Sequence, residues 1–594
     1  MLITHCSATH TFMVSSVSLL TLLSSNSSAS AKPISAPEKP RLVVIITVDQ
    51  MRADLIDRFS HAFRKNSNGQ DEGFLKLRAD GVEFTNARTA SAPTVTAAGH
   101  AALCTGTSAH KHGIIGNQIY DRAQKVDADS TFDLQAPLVV SPNTQLNDPL
   151  SKAPADGVSA RNLKVPTLAT ALAKMSQGQS RSVSVSLKDR GAVYCAGENS
   201  VGTYWYEYKV GSMVSSSAFT KSLPVWVNEF NARLANNFSK TWTSTYSLQD
   251  MQTLLKDDAL KSALTVRSLY SKRVGQGFPY TPPAAAVGAR KFFELTPAAS
   301  DALVDFALEA VRQERLGCAS RKSTEACQPP RTPDLLTISF SSPDLVGHTF
   351  GGESPELMDI FINLNKSIER LTRALEEQHG KGQILYVISA DHGVQPLPEV
   401  LQARGQKVER LMPDKVVSAV EDALRATHGE GPWIETISTA ELYFNNDTLN
   451  KKKIPRETLI RTARTALLKI NGIRDVLSAA DLTNPDTLEK KLFARGHNPE
   501  RSGDLKILTH AGWLWGNYVA ANHGTAFDDD TRIPVIFSGW KIRKGHTNKK
   551  EIFADDVAPT ILGLMGAAKT KHMTGRSLVN ELKATPNSQT KSRK

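Results

Sequence analysis

Four short runs of apolar, β-branched residues decide what this chain can fold into. Residues 41–48 read RLVVIITV and stop at Asp49. Leu335 to Phe340 leads into Asp344, Ile384 to Ser389 leads into Asp391, and Ile533 to Phe537 forms the fourth run. A strand with no polar alternation is apolar on both faces, which suits a parallel strand buried between two layers. Helical patterns separate the runs: in Pro355 to Glu377, Leu357, Ile360, Phe361, Leu364, Ile368 and Leu371 recur at helical spacing. The expected fold is therefore α/β, a mostly parallel central sheet with helices on both faces and inserted cap regions. In such sheets ligands gather at the carboxyl ends of the strands, where Asp49, Asp344 and Asp391 all fall.

With 594 residues, 40% of them hydrophobic, the chain can bury a full core and exceeds one minimal domain. Three stretches carry no site motif, at about 119–162, 197–330 and 400–514. They read as caps inserted into a catalytic unit spanning 32–580. The second holds Tyr204-Trp205-Tyr206 and Trp226, and the third is rich in Lys and Arg. The 71 basic against 59 acidic residues give +12, spread along the chain. That fits a solvated basic surface plus a disordered basic tail at 581–594, and it can steer anions inward. No zinc-finger spacing, Walker loop or basic-aromatic array points to a nucleic-acid partner.

The apolar run from Phe12 to Leu23, followed by Ala29-Ser30-Ala31, reads as an export signal over residues 1–31. Its leading segment lacks Lys and Arg, which makes Met13 an alternative start. No later segment has the roughly 18 apolar residues of a membrane span, so a secreted or periplasmic chain without a transmembrane anchor is expected. Export permits disulfides. Cys318 and Cys327 bracket a polar segment and are expected to bridge, whereas Cys104 and Cys195 fall in apolar stretches and read as buried thiols, with pairing left open.

Asp344-x-x-x-His348, Asp391-His392 and Asn522-His523-Gly524 supply carboxylate and imidazole donors of the kinds zinc accepts. Each alone is a common turn; together, after strands, they suggest a two-metal hydrolase, with Asp49 as a further donor. Thr89, Thr94 and Thr96 precede a helical run from Ala97. A threonine there is usually a helix cap, but the same position favours an alkoxide and a bound phosphoryl group.

At this point the chain resembles the alkaline phosphatase superfamily, and within it the threonine-nucleophile, broad-specificity bacterial alkaline phosphatases of the PafA type. The matching blocks are VDQMRADL (48–55), TVTAAGHAALCTGTSAHKHGIIGN (94–117), SLKDRGA (186–192), YWYE (204–207), SFSSPDLVGHTFG (339–351), SADHG (389–393) and ANHGTAFDDDTRIPVIFSG (521–539). The resemblance implies Thr96 as nucleophile and two zinc ions per chain. Asp344, His348 and His523 would hold one, and Asp49, Asp391, His392 and the Thr96 oxygen the other. It implies that Asn117, Lys188 and Arg190 bind the phosphoryl oxygens. The last two mark the monoesterase branch, because a monoester dianion carries more charge to neutralise than a diester. The implied activity is hydrolysis of small phosphate monoesters through a phosphothreonine intermediate, by an expected monomer. A phosphodiesterase or nucleotide pyrophosphatase on the same scaffold is the alternative. A phosphate- or metal-binding protein without turnover is a third reading, disfavoured by the complete residue set. The sulfatase C-x-P-x-R motif is absent.

Overall fold

The computed structural model describes residues 38–142, 157–255 and 277–583. The export-signal segment and most of the basic tail lie outside them, as do parts of 119–162 and 197–330.

Leu42–Val48 is buried along its whole length between two parallel partners, Asp334–Phe340 and Ile384–Ser389, which are also buried throughout. Ser182–Ser186 and Ser200–Glu207 extend this parallel block. Val48 lies beside Phe340, and Thr47 beside Ser389. That register sends Asp49, Asp344 and Asp391 out of one edge of the sheet.

The complete sheet has ten strands and is mixed. The fourth apolar run joins it as Val535–Gly539, antiparallel to Ile384–Ser389 rather than parallel. The loop before it carries His523 and already sits at the carboxyl edge, so the chain has to run back. Helices cover both faces. Pro297–Gln313, Pro355–His379 and Gly73–Ala79 pack together on one, while Thr96–Thr105, Leu168–Met175 and Val557–Leu564 pack on the other. Every apolar residue read as the inner face of Pro355–His379 is buried. Among the described residues, no helix is long and apolar enough to cross a membrane.

Of the stretches expected as caps, the described part of 197–330 extends the sheet and covers a face, while 119–162 adds only Leu138–Val139 to it and otherwise pairs Gln118–Asp121 with Val126–Asp129. Ser200–Glu207, Ser212–Ser216 and Leu138–Val139 are sheet strands, and Pro297–Gln313 covers a face. The aromatics explain the difference: Tyr204, Trp205 and Tyr206 are buried in that strand, not displayed over a site. The 400–514 stretch does form a unit with its own core. Ile434–Ser438, Glu441–Phe444, Leu505–Thr509 and Ile473–Leu477 make an antiparallel sheet, packed on Pro413–His428 and Arg456–Leu467 through Val416, Trp433 and Leu459.

Cys318 and Cys327 are bridged. Cys104 and Cys195, expected as thiols, are bridged as well, with Cα atoms 5.1 Å apart. Thr96–Thr105 is rich in Ala and Gly, so it packs closely on Asp189–Val193 and brings the two cysteines into bonding range. The bridge ties the helix that starts at Thr96 to the segment following Lys188 and Arg190.

Candidate active site

Thr96 opens the helix Thr96–Thr105, whose N-cap residue, Val95, supplies no capping side chain. The helix approaches the sheet very closely: a Cβ on Gly99 would lie 2.3 Å from the Asp391 carbonyl oxygen. That approach brings the buried Thr96 Oγ1 to 3.4 Å from His392 Nε2. Thr94 has a different task. Its hydroxyl donates to the Thr525 carbonyl at 3.0 Å and accepts from the Gly524 N–H at 3.0 Å, pinning the loop that carries His523. Thr89 donates to the Ser91 carbonyl and stays outside the cluster.

Around Thr96 the six predicted donors converge. His348 Nε2 lies 3.2 Å from Asp344 Oδ1 and 3.2 Å from His523 Nε2, and His523 Nε2 lies 3.6 Å from Asp344 Oδ1. His392 Nε2 is 3.5 Å from both Asp49 Oδ1 and Asp391 Oδ2. The His392 and His523 rings stack with centroids 3.7 Å apart, so the two groups adjoin. In all three imidazoles Nδ1 donates to a backbone carbonyl: His348 to Ala521 (2.8 Å), His392 to Gly393 (2.9 Å) and His523 to Thr94 (2.6 Å). Each Nε2 is thereby left with a lone pair directed into the cluster, the tautomer a metal ligand needs.

Charge in the cluster is unbalanced. Lys188, at the end of the Ser182–Ser186 strand, donates to Asp49 Oδ2 at 2.7 Å and also to Asp344 Oδ2. Burial opposes its charge, but Asp344 and Asp49 outweigh burial and keep the ammonium ionised. Burial, reinforced by Asp344 and Asp391, pushes the Asp49 carboxyl well above its ordinary range. Burial lowers His392 and His523, the latter further because His392 and His348 adjoin it, so both rings are neutral. Asp49 Oδ1 and Asp391 Oδ2 are fully buried with no hydrogen-bond partner among the described residues. Three carboxylates, one ammonium and two orphaned carboxylate oxygens make a donor set that divalent cations complete. Asp344, His392 and His523, and separately Asp49, Asp391 and His392, each present ligand atoms within 4.8 Å of one another. The residues therefore fit a metal cofactor.

The remaining predicted residues border the cluster. Asn117 Oδ1 accepts from the Ala97 N–H at 2.9 Å, which leaves its Nδ2 to donate elsewhere. Arg190 is held 3.6 Å from Asp189, and its buried Nε has no partner among the described residues. Two supporting residues escape a motif reading. Gln50 donates from its backbone N–H to Asp391 Oδ1 (3.1 Å) and from Nε2 to Asp344 Oδ1 (2.8 Å), linking carboxylates from two strands. It does so with φ 66°, against a Gly347 whose absent Cβ would lie 1.8 Å from Gln50 Oε1. His100 places Nδ1 2.9 Å from the Thr96 carbonyl and 3.3 Å from Asp391, and Nε2 2.7 Å from Ser339 Oγ. The signals were present, Gln directly after a strand-end Asp and His one turn after Thr96, but neither suggests a buried bond by itself.

A sheet whose carboxyl edge gathers these side chains around one threonine has the architecture of the alkaline phosphatase superfamily. The type I phosphodiesterase / nucleotide pyrophosphatase model matches residues 43–525. Alkaline phosphatase PhoV of Synechococcus elongatus is 30% identical over 553 residues, covering 92% of this chain and 93% of that protein. Alkaline phosphatase PafA of Elizabethkingia meningoseptica is 28% identical over 542 residues, covering 90% and 93%. The crystal structure of wild-type PafA superposes with a TM-score of 0.79 at 26% identity, covering 92% of this chain and 99% of that one. A PafA variant with a threonine, an asparagine, a lysine and an arginine replaced matches equally well at 25% identity. The chain belongs to the type I phosphodiesterase / nucleotide pyrophosphatase family, within the alkaline phosphatase superfamily.

Proposed function

We propose that this protein is an exported, zinc-dependent alkaline phosphatase that hydrolyses small phosphate monoesters through a phosphothreonine on Thr96. The observation that carries the monoester assignment is the position of Lys188. Its Nζ bonds one carboxylate from each donor group, with Arg190 two residues on and Asn117 bonded next to Thr96. Support comes from the full-length relatives, which are named alkaline phosphatases. The replaced residues of the PafA variant also have the types and spacings of Thr96 and Asn117, and of Lys188 and Arg190.

Asp344, His348 and His523 would hold one zinc ion, and Asp49, Asp391, His392 and the Thr96 oxygen a second. Bound there, such ions supply charge neutralisation and a lowered pKa for a hydroxyl or water. Thr96 attacks phosphorus in line, with the positive end of its helix behind it. The alcohol leaves with a proton, and water then attacks the phosphothreonine, restoring Thr96 and releasing phosphate. Asn117 donates its amide N–H to one non-bridging oxygen. Lys188 and Arg190 shift from their carboxylate contacts to the other oxygens, where the dianion's charge is concentrated.

The family's description favours the competing diester reading, and a rate ratio separates the two. A monoester should be cleaved far faster than its methyl-capped diester. Lys188→Ala should lower the monoester rate by about 10²–10³-fold and leave the diester rate nearly unchanged. A wild-type preference for the diester would overturn the assignment. Metal analysis of the purified protein should find two zinc ions, and a chelator should abolish turnover until zinc is restored.

A further inference from the structure

The catalytic cluster opens on one side into a cavity of about 220 Å³. One wall is Asn117, His348 and His523; the other is built by the 400–514 unit and the segment after it. Aromatic and aliphatic side chains make up much of that far wall. Phe493 comes from the helix Leu488–Gly496, Leu508 from the strand Leu505–Thr509, and Trp513 and Phe527 from the loops that follow. It is also rigid. Gly472 abuts the Trp513 ring so closely that a Cβ would lie 2.3 Å from it. The Arg474 guanidinium sits 5.6 Å from the Phe527 ring centre and bonds Glu489 at 2.5 Å, which neutralises the one carboxylate in the lining.

Several polar side chains in the lining are engaged inside the protein, whereas Thr439 and the Gln395 amide oxygen have no side-chain hydrogen bond among the described residues. Gln395 and Thr525 donate to Asp530, Thr509 donates to the Trp513 carbonyl, and Asn522 accepts from the His523 N–H. Among the described residues, no Lys or Arg lines the cavity. A sugar or polyol would find few partners there for the hydrogen bonds it gives up to water, and a second anionic group would find no Lys or Arg counter-ion. The volume suits a ring: an apolar cavity of about 150 Å³ takes up benzene, so this one has room for a single ring with a short linker.

Building on the monoesterase reading, we infer that this cavity receives the leaving group, and that the enzyme prefers phosphate monoesters of ring-bearing apolar alcohols to those of polyols. The 400–514 unit then sets specificity, while the sheet edge carries the chemistry.

The test uses the zinc-loaded, full-length protein and two primary-alcohol esters of similar intrinsic reactivity, benzyl phosphate and glycerol 3-phosphate. The expected kcat/KM ratio is roughly 10- to 100-fold in favour of benzyl phosphate. Phe493→Ala should cut that ratio to about a third or less, through the benzyl ester alone. A measurement on the unaltered protein stands beside it: benzylphosphonate should inhibit or bind at least about tenfold more tightly than methylphosphonate. Equal kcat/KM values for the two esters, or equal affinity for the two phosphonates, would overturn the inference. Failure to cleave either ester would instead count against the phosphatase reading, and the phosphonate comparison would still decide the role of the cavity.

Discussion

Among the described residues, two clusters of buried charge differ in whether their charges balance. In the 400–514 unit, Glu441 and Lys506 face each other across neighbouring antiparallel strands. Both are buried, they form a direct ion pair, and the Gly503 N–H caps the second Glu441 oxygen. One anion meets one cation. At the sheet edge, Asp49 and Asp344 share Lys188 beside Asp391, the His392 and His523 imidazoles are neutral, and two carboxylate oxygens have no hydrogen-bond donor among the described residues. Burying charge costs free energy in both places. The cap recovers that cost within the chain, whereas the site recovers it only by taking up protons or cations. Buried charge as such therefore does not mark a functional site; an uncompensated excess of one sign does.

The largest expected effect separates chemistry from charge. Thr96→Ala removes a neutral hydroxyl and leaves every charged side chain of both clusters in place. It should lower kcat/KM on a monoester by on the order of 10⁴-fold or more, with both zinc ions still held by the carboxylates and imidazoles and the unfolding midpoint nearly unchanged. Phosphoryl labelling of the quenched protein should vanish. Turnover persisting near the wild-type level would remove Thr96 from the mechanism.

Next comes an attack on the balanced cluster. Lys506→Met leaves Glu441 buried without its cation and should destabilise the protein by about 3–5 kcal/mol in urea unfolding. Pairing it with Glu441→Leu should recover most of that loss, since a well-packed apolar pair replaces the ions and leaves only the Gly503 N–H without its acceptor. Equal stability of the single and double variants would show that charge balance is not what holds the cap.

How much of this was legible in the sequence depends on the range of the cause. Leu42–Val48, Asp334–Phe340 and Ile384–Ser389 are buried on both faces, so their composition alone announced them and placed Asp49, Asp344 and Asp391 on one edge. The D-x-x-x-H, D-H-G and N-H-G motifs each supply donors from one short segment, and the fold brings those segments together. What escaped depends on partners distant in sequence. Val535–Gly539 looks like its parallel neighbours, and only the path of the preceding loop fixes its direction. Cys104 and Cys195 sit in apolar surroundings like unpaired cysteines, and only the packing of two small-residue helices joins them across 91 residues. Glu441 and Lys506 lie in a stretch that reads only as rich in Lys and Arg, and nothing local pairs the two strands that bring them together.

Asp530 is the intermediate case that sharpens the comparison. It is a lone buried carboxylate, and one oxygen accepts from the Thr525 N–H (2.8 Å), the Thr525 hydroxyl (2.6 Å) and Gln395 Nε2 (3.1 Å). Its other oxygen has no partner among the described residues. Burial pushes its pKa up to about 7, since three neutral donors do not replace a counter-ion. Here the excess is relieved by a proton rather than a cation, and a dependence on pH follows. The unfolded carboxyl ionises near its ordinary value of 3.8, so between that pH and about 7 the folded state holds a proton the unfolded state has released. Stability contributed by this group therefore falls as pH rises through the window and is fully lost above it. Urea unfolding of zinc-saturated protein at pH 5 and pH 8 should show the wild type losing on the order of 2 kcal/mol relative to Asp530→Asn. Proton competition at the histidines acts on both proteins alike and cancels in the difference. Identical pH slopes would mean that Asp530 stays ionised, and that a buried carboxylate in this fold can be satisfied by hydrogen bonds alone.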